Sequence, residues 1–313
     1  MTLFEAFQQG DIRALSRLVS HVENRADGYQ KLLEKLYAKV GRALRVGITG
    51  PPGSGKSTLV NLLTHEFIAR QQRVGIIAVD PSSPFTGGAL LGDRVRMNEF
   101  PSDGRVYFRS MATRGATGGL AAATDNVTVV YDAFGFDITL IETVGVGQVE
   151  LDIIDTCDVV VVVIVPESGD AVQTMKAGLM EIADIFCVNK SDRPGAERIA
   201  AELRMAMETR KRVEGAWAPS VIATEAVNRK GIDRLHNEIH RFVDFARSSG
   251  QFEKHRREQV RRKILSVLKA RFQQEFLDKL ASEGHVDEAI EKILSGTDNP
   301  YRIGDRLYQQ FTK

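Results

Sequence analysis

The stretch Gly50 to Thr58, GPPGSGKST, limits what this chain can become more than any other part of it. It stands between an apolar β-branched run, LRVGIT, and a segment with helical periodicity, LVNLLTHEFIAR. Gly50, Gly55, Lys56 and Ser57 fit the phosphate-loop pattern GxxxxGK(S/T). In that pattern glycines let backbone N–H groups turn inward around phosphate oxygens without a Cβ in the way. The helix that opens near Lys56 adds the partial positive charge of its N-terminus. Lys56 then reaches the β- and γ-phosphates, and Ser57 offers its hydroxyl to Mg2+. The expected phosphate-binding residues are therefore Gly50, Gly53, Ser54, Gly55, Lys56, Ser57 and Thr58.

The surrounding pattern agrees with such a loop. Between about residues 44 and 246, the runs LRVGIT, RVGIIAVD, RVYFRSM, DITLIET, DVVVVVIVP, DIFCVNK and PSVIATEA alternate with helix-like segments. This is the signature of a mostly parallel sheet covered on both faces, an α/β fold of the P-loop NTPase type. The run Val159 to Val165 is continuously apolar, as expected of a strand buried on both sides. It is also far too short to span a bilayer, which takes about 20 residues. Residues 1–41 read as N-terminal helices, 42–250 as the P-loop domain and 251–313 as a C-terminal helical arm.

In that arm Val260, Ile264, Leu268, Phe272, Phe276 and Leu280 recur every four residues. Such a stripe needs cover, from the chain's own core or from a second copy of the chain. A dimerisation arm is the expectation, because a ladder of this period drifts around the helix and is hard to cover from one side.

With 313 residues, 43% of them hydrophobic, and a formal net charge of +1, the chain can bury a sizeable core and gives no sign of a nucleic-acid or membrane partner. Its two cysteines lie in or beside apolar runs and read as structural thiols. No basic, apolar signal region opens the chain, and the first residues include acids, so the expected location is the cytoplasm.

Other loops choose the nucleotide. NKSD, Asn189 to Asp192, follows the strand-like DIFCV. Guanine presents N1–H and an amino group along one edge, a donor pair that one carboxylate accepts and that adenine lacks. Asp192 is therefore the expected guanine reader, with the aliphatic stem of Lys190 lying over the base and Asn189 tying neighbouring loops together. In the later TEA, the backbone N–H of Ala226 is the candidate donor to the guanine oxygen. Three acids at or near strand ends, Asp80, Asp93 and Glu142, are candidates to hold Mg2+ beside Ser57, directly or through water. Gly145, in TVGVGQVE, is placed for its N–H to sense the γ-phosphate, as a switch would.

With these residues in hand, the chain resembles the MeaB family, which is related to the methylmalonic aciduria type A protein and to bacterial proteins once labelled ArgK. The resemblance covers almost the whole chain. It runs through GDIRALSRLVSHVEN, GPPGSGKST, VDPSSPFTGGALLGDRVRM, RSMATRG, GFDITLIETVGVGQVE, MKAGLMEIADIFCVNKSDRPGA and NPYRIGDRL. It implies a GTPase chaperone that couples GTP binding and hydrolysis to cofactor loading, protection and reactivation of an adenosylcobalamin-dependent acyl-CoA mutase, usually methylmalonyl-CoA mutase. It also implies a homodimer formed through C-terminal helices.

The family's further mobile segment matches PESGDAVQTMK, which makes Asp170, Gln173 and Lys176 candidate switch residues. Lys176 is then the expected supplier of positive charge to the transition state, and Lys56, Glu142 and Lys176 make up the expected catalytic set. Two rival readings are a metallochaperone GTPase for nickel or zinc and an ATP-dependent kinase of a transport system. The first wants a Cys and His ligand cluster, which the scattered residues here do not form, and the second wants adenine where Asp192 selects guanine. The cobalamin-binding pattern DxHxxG is missing, so cobalamin is expected on the partner.

Overall fold

The computed structural model describes residues 2–80, 100, 103–112, 119–143, 149–167, 178–209, 215–282 and 285–311. Each of the seven apolar runs forms a strand: β1 (Leu44–Thr49), β2 (Val74–Asp80), β3 (Val106–Ala112), β4 (Ile138–Glu142), β5 (Val159–Ile164), β6 (Ile185–Val188) and β7 (Ser220–Ala223). They make one sheet in the order β3-β2-β4-β1-β5-β6-β7, with every neighbouring pair parallel. Parallel neighbours need long crossovers, and helices stand in those after β1, β3, β4, β5 and β6. They are α4 (Lys56–Ala69), α5 (Gly119–Phe134), α6 (Val149–Thr156), α7 (Leu179–Ile182) and α8 (Ala196–Thr209), while α9 (Ile232–Ser248) follows β7. The N-terminal helices α1 (Leu3–Gln8), α2 (Ile12–Glu23) and α3 (Tyr29–Tyr37) precede the sheet.

Strand β5 explains the two-layered core. Its residues are all buried, and they divide by parity: Val159, Val161 and Val163 join the cluster on one face, Val160, Val162 and Ile164 the cluster on the other. The first face is covered by Leu59, Leu63 and Phe67 of α4 and by Leu235, Ile239 and Phe242 of α9. Against the second lie Val130, Tyr131 and Phe134 of α5, Ile153 of α6 and Leu203 of α8. Leu15 and Val19 of α2 and Leu36 of α3 are fully enclosed in this same second cluster. Each such aliphatic side chain contributes roughly 1.5–3 kcal/mol by leaving water. The N-terminal helices are thus part of the sheet's own core.

Polar contacts then align the strand starts. Asp132 of α5 accepts the backbone N–H groups of Gly41, Arg42 and Ala43 at 2.6, 3.2 and 3.1 Å, which fixes where the chain enters β1. Arg45 of β1 forms a fork on Asp158, just before β5, with Nη2 to Oδ1 at 2.8 Å and Nε to Oδ2 at 3.2 Å. Asp158 Oδ2 also accepts the Arg45 N–H at 2.9 Å. Central strands β1 and β5 are therefore locked in register where they begin.

The chain divides into two compact units, Met1–His255 and Arg256–Lys313. The long helix α10 (Gln251–Ser282) begins in the first, and the second continues with α11 (His285–Leu294) and α12 (Pro300–Phe311). Pro300 opens α12 at the position where its missing N–H costs nothing, and the Asn299 side chain accepts the N–H groups of Tyr301 and Arg302 at 3.1 and 3.0 Å. On α10 four residues of the expected apolar ladder, Val260, Ile264, Leu268 and Phe272, are all more than half exposed, and Phe276 is partly buried. No helix among the described residues is long and apolar enough to cross a membrane.

One buried acid makes the fold sensitive to pH. The Asp184 carboxyl, just before β6, turns inward to accept the Val160 N–H at 2.8 Å. Burial disfavours its charged form and raises its pKa from the ordinary carboxylate range to about 7, against the opposing pull of that N–H. In the unfolded chain the group ionises near pH 4, so the folded state loses stability relative to the unfolded as pH rises from about 4 through about 7. Asp184→Asn, which keeps an acceptor for Val160 and removes the charge, is expected to raise the melting temperature at pH 8, by an amount corresponding to roughly 1–2 kcal/mol, and to match the parent near pH 4.5. Thermal unfolding at the two pH values checks this, and equal shifts at both would refute the assignment.

Candidate nucleotide site

The loop between β1 and α4 is built around two glycines. Gly50 has φ +138°, and a Cβ there would overlap the Val163 carbonyl of β5. Gly55 has φ +89°, and a Cβ there would overlap the Asn189 amide nitrogen. Both positions are closed to any other residue by conformation and by space. Gly53 turns at the crown of the loop, facing open space. Gly55 is also the N-cap of α4 and supplies no side-chain cap, so the leading N–H groups of the helix stay directed at the loop.

Lys56 is 6% exposed, and its Nζ donates to the carbonyls of Gly50 and Pro51 at 2.8 and 3.0 Å, which draws the loop around its charge. The Ser54 hydroxyl, completely buried inside the loop, has no hydrogen-bond partner among the described residues. An orphaned hydroxyl in a glycine-built cradle fits a loop made to wrap something polar. Thr58, the third residue of α4, is exposed.

Ser57 Oγ donates to Glu142 Oε1, so the two expected metal-side oxygens meet although they are 85 positions apart. Strand register brings them together. Ile48 of β1 lies opposite Glu142 of β4, and the hydroxyls of Thr49 and Thr143, hydrogen-bonded at 2.9 Å, tie the two strand ends. That hydroxyl pair did not emerge from the sequence, where a threonine after an acid carries no distinctive signal. In β2, Ala78 is also level with Glu142, so the backbone of Asp80 closes the neighbouring strand two residues further along. A carboxylate and a hydroxyl side by side, both hard oxygen donors, fit Mg2+. Asp93, Gly145, Asp170, Gln173 and Lys176 lie outside the described residues.

The second half of the site is the loop after β6. Lys190 takes a left-handed conformation, φ +55°, and the Arg193 N–H closes the turn on the Lys190 carbonyl at 3.0 Å. Asp192 is exposed and makes no hydrogen bond to the described residues. The cation next to it, Arg193, is directed instead at Glu167 in an ion pair across to the loop after β5. Asp192 therefore presents a bare carboxylate at the rim. Asn189, 2% exposed, joins the halves. Its Nδ2 donates to the Ser54 carbonyl of the phosphate loop at 2.8 Å, and its Oδ1 accepts the Ala226 N–H at 3.1 Å. The N–H expected to face guanine is thus engaged with Asn189 in this arrangement. All these groups sit at the C-terminal edge of the sheet, where ligands of open parallel sheets bind.

Comparison with known proteins agrees with this geometry. The family model described as "Methylmalonyl Co-A mutase-associated GTPase MeaB" matches residues 15–281. A Pyrococcus abyssi protein, provisionally named a GTPase, is 44% identical over 310 residues, which are 98% of this chain and 95% of that protein. The mitochondrial methylmalonic aciduria type A homolog of Mus musculus is 32% identical over 99% of this chain and 79% of its own. Among solved structures, one described as a LAO/AO transport system kinase superposes with a TM-score of 0.70, covering 99% of this chain and 97% of its own. At 23% identity it speaks for the fold alone. A phosphate-loop sequence, a serine paired with a strand-end glutamate and an NKSD loop thus occur within a chain that the family model covers for most of its length, and the protein belongs to the MeaB family of P-loop GTPases.

Proposed function

We propose that this protein hydrolyses GTP and uses the cycle to load, protect and reactivate an adenosylcobalamin-dependent acyl-CoA mutase, with methylmalonyl-CoA mutase as the partner. The observation that carries the nucleotide half is Asn189, which binds the loop that would hold phosphates to the loop that would read the base. The partner half is supported by family membership and by the description of the matching family model. Cobalamin stays on the mutase, and this chain contributes the GTP site.

Phosphoryl transfer to water needs positioning and charge stabilisation far more than covalent chemistry. Lys56 leaves the carbonyls of Gly50 and Pro51 for the β- and γ-phosphate oxygens, a short exchange of partners for a buried ammonium. Ser57 and Glu142, with Asp80 and Asp93, would hold Mg2+, which when bound neutralises charge on the phosphates. The Asp192 carboxylate accepts the two hydrogens on the guanine edge, and the Lys190 stem lies over the ring. A further positive charge comes from Lys176 when the partner is bound, and Gly145 reports the loss of the γ-phosphate. The exposed ladder of Val260, Ile264, Leu268 and Phe272 is covered by a second copy of the chain, so the active species is a homodimer joined through the 251–313 arm.

Two substitutions test this reading. Asp192→Asn should move the preference from GTP towards xanthosine triphosphate by about a hundredfold in relative affinity, because one of the two acceptor oxygens facing the base edge is exchanged for a donor. Competition between the two nucleotides measures it, and a parent protein that prefers ATP would end the guanine assignment. Lys176→Ala should leave slow unstimulated turnover in place and cut the stimulation by added mutase about tenfold or more. Phosphate release measured with and without the mutase decides, and undiminished stimulation would rule Lys176 out.

A further inference from the structure

Asn189 can crosslink the two loops only while its amide faces the right way. Its oxygen must point at the Ala226 N–H and its nitrogen at the Ser54 carbonyl. Rotated by half a turn, it would set donor against donor and acceptor against acceptor. Thr224 adds a third contact to the orientation that these two backbone groups select. It is 1% exposed, and its hydroxyl lies 3.1 Å from Asn189 Oδ1. Its main chain brackets the same loop, with its N–H donating to the Val188 carbonyl at 2.9 Å and its carbonyl accepting the Ser191 N–H at 3.0 Å.

A threonine hydroxyl has one proton to give, and the Asn189 oxygen can only accept. That proton is therefore spent on Asn189. The remaining contact of the hydroxyl, with Cys187 Sγ at 3.2 Å, must then run from thiol to oxygen. Cys187 is fully buried in β6, and burial pushes its thiol up to about 12, so the sulfur keeps its proton at any physiological pH.

We propose that Cys187 and Thr224 are positioning residues for nucleotide binding. They form a directed chain, S–H to Thr224 Oγ1 and O–H to Asn189 Oδ1, that holds the Asn189 amide in the orientation its backbone partners select and with it the spacing of the phosphate and base loops. Neither touches the nucleotide, and both act through Asn189. The inference rests on the nucleotide site proposed above and adds to it a pair of residues that set its affinity.

The test is fluorescence titration of the full-length protein with an N-methylanthraniloyl nucleoside diphosphate, guanine and adenine forms in parallel, with thermal unfolding and steady-state turnover on the same samples. Thr224→Val keeps the shape and loses the proton, and it should weaken binding about tenfold and raise KM with kcat within about twofold. Thr224→Ser restores the proton and should bind within about twofold of the parent. Cys187→Ala frees the Thr224 hydroxyl to rotate, and it should weaken binding about threefold in the parent and not at all in the Thr224→Val background.

Parental affinity in Thr224→Val, or Thr224→Ser as weak as Thr224→Val, would overturn the proposal. Should Thr224→Val not fold, parental affinity in Cys187→Ala would overturn it instead. A parent that binds the adenine form better would refute the guanine reading of Asp192 and leave the positioning chain to be judged on the adenine form.

Discussion

One amide side chain makes a single site out of two loops that the chain lays down far apart. Asn189 is buried, its donor is spent on the loop after β1, and its acceptor is spent on the loop after β7. A nucleotide has two ends of different chemistry, and affinity for the whole molecule requires both ends to meet their partners at once. Loops held only by their own strands would have to be ordered on binding, at a cost in entropy. A buried hydrogen-bonded bridge meets part of that cost during folding.

The sheet delivers Asn189 to that place. Parallel order puts every strand's C-terminal end on one edge, and the order β3-β2-β4-β1-β5-β6-β7 sets the phosphate loop at the centre. Strand β4, which ends in Glu142, stands on one side of β1, and β5, β6 and β7 on the other. At the opposite edge the Arg45 fork on Asp158 and the Asp132 grip on residues 41–43 hold the strand starts. Register is therefore pinned at the end away from the chemistry, and the C-terminal end can carry strained loops such as those at Gly50 and Lys190.

Much of this was legible in the sequence because strong local signals coincided with the global fold. The seven apolar runs became seven strands, and the unbroken valines of β5 marked a strand covered on both faces. Ser57 and Glu142 were each expected near a metal, and the register of β1 with β4 brings them into contact. Other features depend on tertiary placement and leave no local trace. That α2 and α3 would share a core with α5 depends on which helix surface lies nearby, and amphipathic periodicity says only that some surface must. The engagement of the Ala226 N–H with Asn189 has the same character, since it follows from the approach of β7 to β6. The Thr49 and Thr143 hydroxyls meet only because β1 and β4 are neighbours.

Glycine at position 55 has a consequence that reaches beyond the phosphate loop. The space a larger residue would need is already held by the Asn189 amide, which serves the base loop. A change at either position therefore displaces the loop after β1 and the loop after β6 together. Within a lineage the two positions should behave as a single heritable character, kept or lost as a unit.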